Sequence, residues 1–242
     1  MKIDQLIVEV TRRCNLRCSH CLRGEAQNRN FNPHYLEQFI KVNEIDYIGC
    51  ITFSGGEPTL CPDIISQCHK ILKRNDVYID SFYISINGVY PGDKNARKFV
   101  RVVAELKYDC DDSSLSFIHI SNSQFHRIER SELETFDECK KWIRKLEGIF
   151  TFVHLGQENY EEDYLLKQGR NKSGRQVTPE EFEMEENLVK GSFYLNCEGD
   201  VVAGCDYSYD TQSEYKICHC DEKVMDSAFM DSALSISEAE VQ

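Results

Sequence analysis

Apolar residues along the chain come in two alternating kinds of run. Short segments rich in Ile, Val, Phe and Tyr occupy residues 5–10, 47–53, 78–86, 115–120 and 149–155, as buried or half-buried strands require. Between them the apolar spacing changes to three and four. Ile64, Ile65, Cys68, Ile71 and Leu72 form one such set, Ala96, Phe99, Val100, Val103 and Leu106 a second, and Leu133, Phe136, Cys139, Ile143 and Leu146 a third. This spacing predicts helices with one face turned inward. Asn32-Pro33 supplies a cap followed by proline at the first helical position, and Ser131 with Glu134 reads as a capping box. Strand starts recur about every 30 to 40 residues, the length of a βα unit. A run of such units makes a parallel sheet with right-handed crossovers. The fold class is therefore α/β, and five or six units leave an eight-stranded barrel incomplete, so the sheet is an open, partial barrel.

After the fifth strand the rhythm breaks. We read residues 1–165 as the core and 166–242 as a C-terminal extension. Within the extension, residues 193–205 form a β-hairpin, with apolar runs flanking Glu198-Gly199-Asp200 and the glycine supplying the turn. The acidic run at 180–187, where five of eight residues are Glu, reads as a solvated helix face. The repeated Met225-Asp226-Ser227-Ala228-Phe229 and Met230-Asp231-Ser232-Ala233-Leu234 read as a short helix that frays toward the end.

Composition narrows the function. A net charge of −13 over 242 residues argues against a nucleic-acid backbone as the main partner. No apolar run approaches a membrane span, and Met1-Lys2-Ile3 leads straight into a strand without a cleavable signal. Twelve cysteines in such a chain read as cluster ligands plus buried thiols rather than disulfides. The expectation is a cytoplasmic, oxygen-sensitive protein.

The chemistry lies at one end of the predicted strands, the end at which α/β sheets place their sites. The first strand runs into Cys14, Cys18 and Cys21, spaced C-x3-C-x2-C, and the second into Ser54-Gly55-Gly56-Glu57-Pro58. The third ends in Ser85-Ile86-Asn87-Gly88, the fourth in Ser121-Asn122 and the fifth in Gly156-Gln157. Three thiolates hold three corners of a [4Fe–4S] cubane and leave one iron open to a ligand, whereas storage and electron-transfer clusters usually have four protein ligands. The same thiols with His20 also match a Cys3His zinc set, and buried thiols are a third account. Glycines at 55 and 56 let backbone approach a ligand closely. Cys50, Cys61, Cys68, Cys110 and Cys139, on strand or helix faces or at their ends, read as buried or unpaired thiols. His119 and His126 bracket the end of the fourth strand and read as satisfied polar histidines with a possible view of a substrate cavity.

The C-x3-C-x2-C loop, followed one βα unit later by Gly-Gly-Glu-Pro, resembles the radical S-adenosylmethionine (SAM) superfamily over the first 155 residues or so. The resemblance implies a partial (β/α)6 TIM-like barrel with a short C-terminal β-hairpin extension. It implies a [4Fe–4S] cluster on Cys14, Cys18 and Cys21, with SAM chelating the fourth iron. Gly55, Gly56 and Glu57 would then meet the SAM ammonium. Ser85, Asn87 and Ser121 would meet its ribose and carboxylate, although Ile86 stands where the family's Thr-Asn-Gly segment has threonine. His20 takes the place of an aromatic beside the adenine. Arg12, Arg13 and Arg17 either offset thiolate and carboxylate charge or face solvent.

Gly169-Arg170-Asn171 is similar to a Gly-Arg-Ala segment in members with a SPASM or twitch extension. That likeness implies a possible auxiliary iron–sulfur cluster on Cys197, Cys205, Cys218 and Cys220, whose C-x7-C-x12-C-x-C spacing departs from the SPASM pattern. Structural zinc, buried thiols or a cluster-free twitch domain are the alternatives.

The activity implied is reductive SAM cleavage to a 5′-deoxyadenosyl radical that abstracts hydrogen, with an electron donor such as flavodoxin or ferredoxin. The substrate expected by analogy is a peptide or protein, as in ribosomal natural products. A cysteine motif at residue 14 would put any leader-binding domain on a separate chain. A small molecule, activation of a glycyl-radical enzyme, and a non-catalytic metal-binding protein are the rival readings.

Overall fold

β1 (Lys2–Thr11) is the strand on which the fold is assembled. Every residue from Leu6 to Thr11 is buried, so both of its faces must be covered, as in the centre of a parallel sheet. In the computed structural model, which describes residues 1–161, 165–178, 182–185 and 187–224, the right-handed βα series follows. α1 (Pro33–Val42) leads to β2 (Tyr47–Gly55), α2 (Pro62–Arg74) to β3 (Tyr78–Ile86), and α3 (Asp93–Asp109) to β4 (Phe117–Ile120). Two helices, α4 (Gln124–Ser131) and α5 (Phe136–Ile149), precede the short β5 (Val153–Leu155). β1 to β5 are parallel neighbours in chain order.

The chain beyond residue 165 continues this same sheet. β7 (Leu188–Leu195) lies parallel to β1 on the side away from β2, and β8 (Asp200–Ala203) and β9 (Lys216–His219) follow it antiparallel. β6 (Glu183–Glu185) pairs antiparallel with β7. The order across the sheet is thus β5-β4-β3-β2-β1-β7-β8-β9. An open, mostly parallel α/β partial barrel with a C-terminal hairpin is what the apolar pattern predicts. The turn of that hairpin has Gly199 at φ +87°, while the Asn196 side chain accepts from the backbone N–H groups of Glu198 and Asp200.

One core joins the βα series to the hairpin. Phe39 of α1, Phe53 of β2 and Phe82 of β3 are fully buried with Phe193 of β7 and Val201 of β8. The helices bury the faces their spacing predicts, with Ile65, Cys68, Ile71 and Leu72 on α2 and Cys139, Trp142 and Leu146 on α5. On α3, Val102 is buried and Val100 packs at the margin. Among the described residues no helix is long and apolar enough to cross a membrane.

Four local expectations change. Ser131 is not a helix start but the last residue of α4, its hydroxyl donating back to the Ile128 carbonyl; α5 begins after Thr135 instead. Ile149 ends α5 rather than opening β5, because its apolar pattern serves a helix end as well as a strand start. Residues 113–115 turn before β4 begins. In the acidic run, Glu183–Glu185 is a strand rather than a helix face, with Lys190 of β7 pairing Glu185 at 2.6 Å; residues 180, 181 and 186 of that run, and the repeat at 225–234, lie outside the described residues. Asn32 caps α1 as predicted, its side chain accepting from His34 N.

Candidate functional site

The carboxyl ends of β1 to β4 open onto one cavity of about 570 Å³. Cys14, Cys18 and Cys21 all line it, as do His20, Gly55, Gly56, Ser85, Asn87 and Ser121. Residues called from four separate stretches of sequence are therefore brought to one wall. All three cysteines are free thiols. Burial, with the neighbouring thiol charges added, pushes Cys14 up to about 11 and Cys18 up to about 12. In the bare site they are neutral, and binding of a metal would supply the cation that deprotonates them.

The residues fit a group held by three thiolates beside an open cavity. Asn87 Nδ2 lies 3.7 Å from Cys14 Sγ as a donor and also bonds Asn15 Oδ1 at 2.8 Å, tying the cysteine loop to the end of β3. The two glycines after β2 are demanded by that loop. A Cβ on Gly55, at φ +123°, would lie 2.4 Å from the Thr11 carbonyl oxygen, and one on Gly56 would lie 2.2 Å from that of Arg13. Gly56 N and Glu57 N instead donate to those same carbonyls at 2.6 and 2.8 Å.

The sites of His20 and Glu57 need more detail. His20 stacks on Phe125 with centroids 4.4 Å apart and meets His126 edge-on at 4.7 Å. Its Nδ1 is buried and has no hydrogen-bond partner among the described residues. Burial lowers His20 to about 4 and His126 to about 3, so both rings are neutral. A zinc site of the Cys3His kind would need the four side chains to converge. Among the described residues no three or more His, Cys, Asp or Glu gather as ligands of a single ion.

Glu57, expected to touch the ligand, turns inward. It has no exposed surface and is absent from the lining. Its carboxylate accepts from Thr59 N and Thr59 Oγ1 at 3.0 and 2.6 Å and from Asn87 N at 2.7 Å. Its geometry is that of a brace between the end of β2 and the end of β3. Burial pushes its carboxyl up to about 7.

Two arginines hold the surroundings, one of which, Arg130, no motif singles out. Arg130 of α4, which is buried, donates to the carbonyls of Asn87 and Ser121 at 2.6 Å each and to Asn122 Oδ1 at 2.8 Å, clamping the ends of β3 and β4. Arg12, also buried, pairs with Glu9 at 2.5 Å and reaches Gln27, Glu198 and Gln212. It thereby links the start of the cysteine loop to the hairpin turn. Arg13 and Arg17 are both exposed, the Arg17 side chain at 84%.

The four C-terminal cysteines do not share a place. Cys197, Cys218 and Cys220 belong to the main core, where Cys197 Sγ donates to the Glu9 carbonyl at 3.2 Å and Cys220 Sγ to Gln38 Oε1 at 3.5 Å. Cys205 lines the cavity, beside Asp206.

A parallel α/β partial barrel with three free thiols on the loop after its first strand, and a glycine-rich turn after its second, is the framework of an iron–sulfur enzyme that binds SAM. The sequence profile of the radical SAM superfamily matches residues 8–167, and the chain belongs to that superfamily. It is similar to a probable GTP 3′,8-cyclase of Pyrococcus horikoshii, with 27% identity over 158 residues, 63% of this chain and 46% of that protein. A GTP 3′,8-cyclase of Clostridium botulinum is 36% identical over 81 residues, 31% of this chain and 25% of that protein. The chain thus spans less than half the length of these curated relatives. Among solved structures, anSMEcpe with bound AdoMet superposes with a TM-score of 0.60 at 12% identity, covering 97% of this chain and 83% of that one. BtrN in an open conformation gives 0.52 at 12% identity, covering 98% and 86%. At such identities the likeness is one of fold.

Proposed function

We infer that this chain holds a [4Fe–4S] cluster on Cys14, Cys18 and Cys21, binds SAM beside it, and carries out radical chemistry on a small molecule. The observation that carries this reading is the gathering of three free thiols with Ser85, Asn87 and Ser121 on one cavity. When bound, the cluster and SAM supply a 5′-deoxyadenosyl radical on one-electron reduction, and the protein's part is to position them and exclude side reactions. Asn87 orients Cys14. The glycines at 55 and 56 bring backbone to the cavity wall, where their carbonyls suit the SAM ammonium. Ser85 and Ser121 offer hydroxyls to ribose, and the unpartnered Nδ1 of His20 offers a hydrogen bond to a ligand. Glu57 acts on SAM through Asn87 rather than by touching it. An electron donor such as flavodoxin or ferredoxin completes the reaction.

A small-molecule substrate is favoured over the peptide expected from sequence. The relatives named GTP 3′,8-cyclase point that way, and about 570 Å³ falls within the range of small-ligand cavities, roughly 300 to 1,000 Å³. The peptide reading rests on fold likeness alone. Residues from 166 onward serve in this proposal as a twitch-like extension that supplies part of the cavity wall through Arg170, Cys205 and Asp206. An auxiliary cluster has no part in it, since Cys205 is set apart from Cys197, Cys218 and Cys220.

The test is anaerobic reconstitution with iron and sulfide, followed by SAM and dithionite. About four irons per chain and formation of 5′-deoxyadenosine are expected, and Cys14→Ala, Cys18→Ala or Cys21→Ala should abolish both. Turnover surviving in any of the three variants, or a chain that takes up zinc alone, refutes the assignment.

A further inference from the structure

The cavity has a second, differently charged end. The residues assigned to SAM come from β2, β3 and β4, on one side of β1 in the sheet order; Cys205 and Asp206 follow β8, on the other side. Among the described residues the lining carries Arg23, which bonds the Tyr207 carbonyl past β8, and Arg170, whose charge reaches His20 and Cys18 of the cysteine loop, against Asp206 as its one carboxylate. A chain of net charge −13 thus puts more fixed positive than negative charge on the lining.

The two arginines stand on chain segments in direct contact. Arg170 N donates to the Cys21 carbonyl at 3.0 Å. Gly169, at φ +57°, packs so closely that a Cβ would lie 2.4 Å from Leu22 O and 2.5 Å from Gly24 N. Among the described residues neither guanidinium has a carboxylate within hydrogen-bond distance, although the charge of buried Glu9 reaches Arg23. Arg23 donates to the Tyr207 carbonyl at 2.7 Å and lies 4.6 Å from the centroid of the Tyr194 ring, and among the described residues no acidic side chain forms an ion pair with it. Among the described residues Arg170 pairs only with Glu25, at 3.7 Å, whose side chain is 68% exposed, and its buried Nε has no hydrogen-bond partner among them. Glu9, the carboxylate beneath this region, is engaged by Arg12.

Partly buried guanidinium groups without counter-charges are costly unless a ligand completes them. Their planar forks match carboxylate and phosphate oxygens. We propose that Arg23 and Arg170 form an anion-binding end of the cavity that holds a carboxylate or phosphate group of the substrate. This rests on the radical SAM reading for the identity of the substrate, while the anion site itself depends only on the two arginines.

The experiment uses the reconstituted protein with SAM and two probes, inorganic pyrophosphate and succinate, titrated by calorimetry against wild type, Arg23→Gln, Arg23→Lys and Arg170→Gln. Iron content and SAM affinity are measured on each sample. The expected result is binding of one probe to wild type, weakened about tenfold or more by either Gln variant and less by Arg23→Lys, with iron content retained. Pyrophosphate as the binder identifies a phosphorylated substrate, and succinate a carboxylate. Arg23→Lys and Arg170→Gln keep the test intact if Arg23→Gln loses its contacts to Tyr207 and Tyr194 and misfolds. Failure of both probes to bind a loaded wild type overturns the anion site and leaves the radical reading standing. If SAM affinity falls in the variants while neither probe binds, the arginines serve the SAM carboxylate and the proposal is wrong. Arg23-dependent probe binding to a chain that takes up no iron would retain the site and overturn the radical reading.

Discussion

Glu57→Gln should change the stability of the chain in opposite directions on the two sides of neutral pH. The carboxyl group has no exposed surface, and burial pushes it up to about 7 from a reference of 4.5. Between those values the folded chain holds a proton that the unfolded chain has released. The stability contributed by Glu57 is therefore fully present below about pH 4.5 and is lost as pH rises toward about 7. At 1.36 kcal/mol per pH unit, going from pH 5 to pH 8 removes roughly 2 to 3 kcal/mol from wild type. Glutamine carries no such charge. It keeps an acceptor for Thr59, but its amide faces the Asn87 N–H that the carboxylate accepts at 2.7 Å, and an unsatisfied buried donor costs about 1 to 3 kcal/mol at any pH. The variant should accordingly be the less stable protein at pH 5 and equal to or more stable than wild type at pH 8. Urea unfolding of the two proteins at both pH values, compared as midpoints with equal slopes, measures the difference. A stability difference that does not change with pH would refute burial as the cause of the shift, and a larger penalty at pH 8 than at pH 5 would show that the ionised form is the one the site prefers.

Two further substitutions probe the frame of the site. Arg130→Met removes the donor to two strand-end carbonyls and to Asn122; it should cost roughly 1 to 3 kcal/mol in urea unfolding, as leaving buried acceptors unsatisfied does, and weaken SAM binding through Asn87 and Ser121, whereas an unchanged SAM affinity would separate the clamp from the site. Gly169→Ala forces a β-carbon against three backbone atoms of the cysteine loop at a positive φ; a penalty of at least about 1 kcal/mol in thermal or urea unfolding, together with reduced iron uptake, is expected, and wild-type iron content would show that the loop is set without this contact.

The candidate site was legible in sequence where the chemistry is local. Cys14, Cys18 and Cys21 are close in the chain, so their shared wall follows from one loop. Gly55 and Gly56 were read as a close approach, and the structure identifies the approaching atoms as the carbonyls of Thr11 and Arg13. Ser85, Asn87 and Ser121 follow from register, because parallel strands bring their carboxyl ends to one side. Glu57 shows the limit of motif reading: its direction depends on Thr59 and on the backbone N–H of Asn87, thirty residues away and just past β3. Sequence leaves Arg12 either offsetting thiolate and carboxylate charge or facing solvent, yet the partners that bury it include Glu198 and Gln212, from the far end of the chain.

The sequence by itself determined the alternation of strand and helix, the partial barrel, the hairpin and the cysteine loop, because each depends on side-chain periodicity or turn chemistry within a few residues. The tertiary structure alone decided that β7 joins β1 in parallel, which sets Cys205, Asp206 and Arg170 at the cavity and leaves Cys197, Cys218 and Cys220 in the core. It alone also brought Arg23 and Arg170 onto touching segments of the cavity wall. Such pairings depend on which apolar faces close on one another, and on how buried charges find partners across long sequence separations. Neither quantity is carried by local pattern.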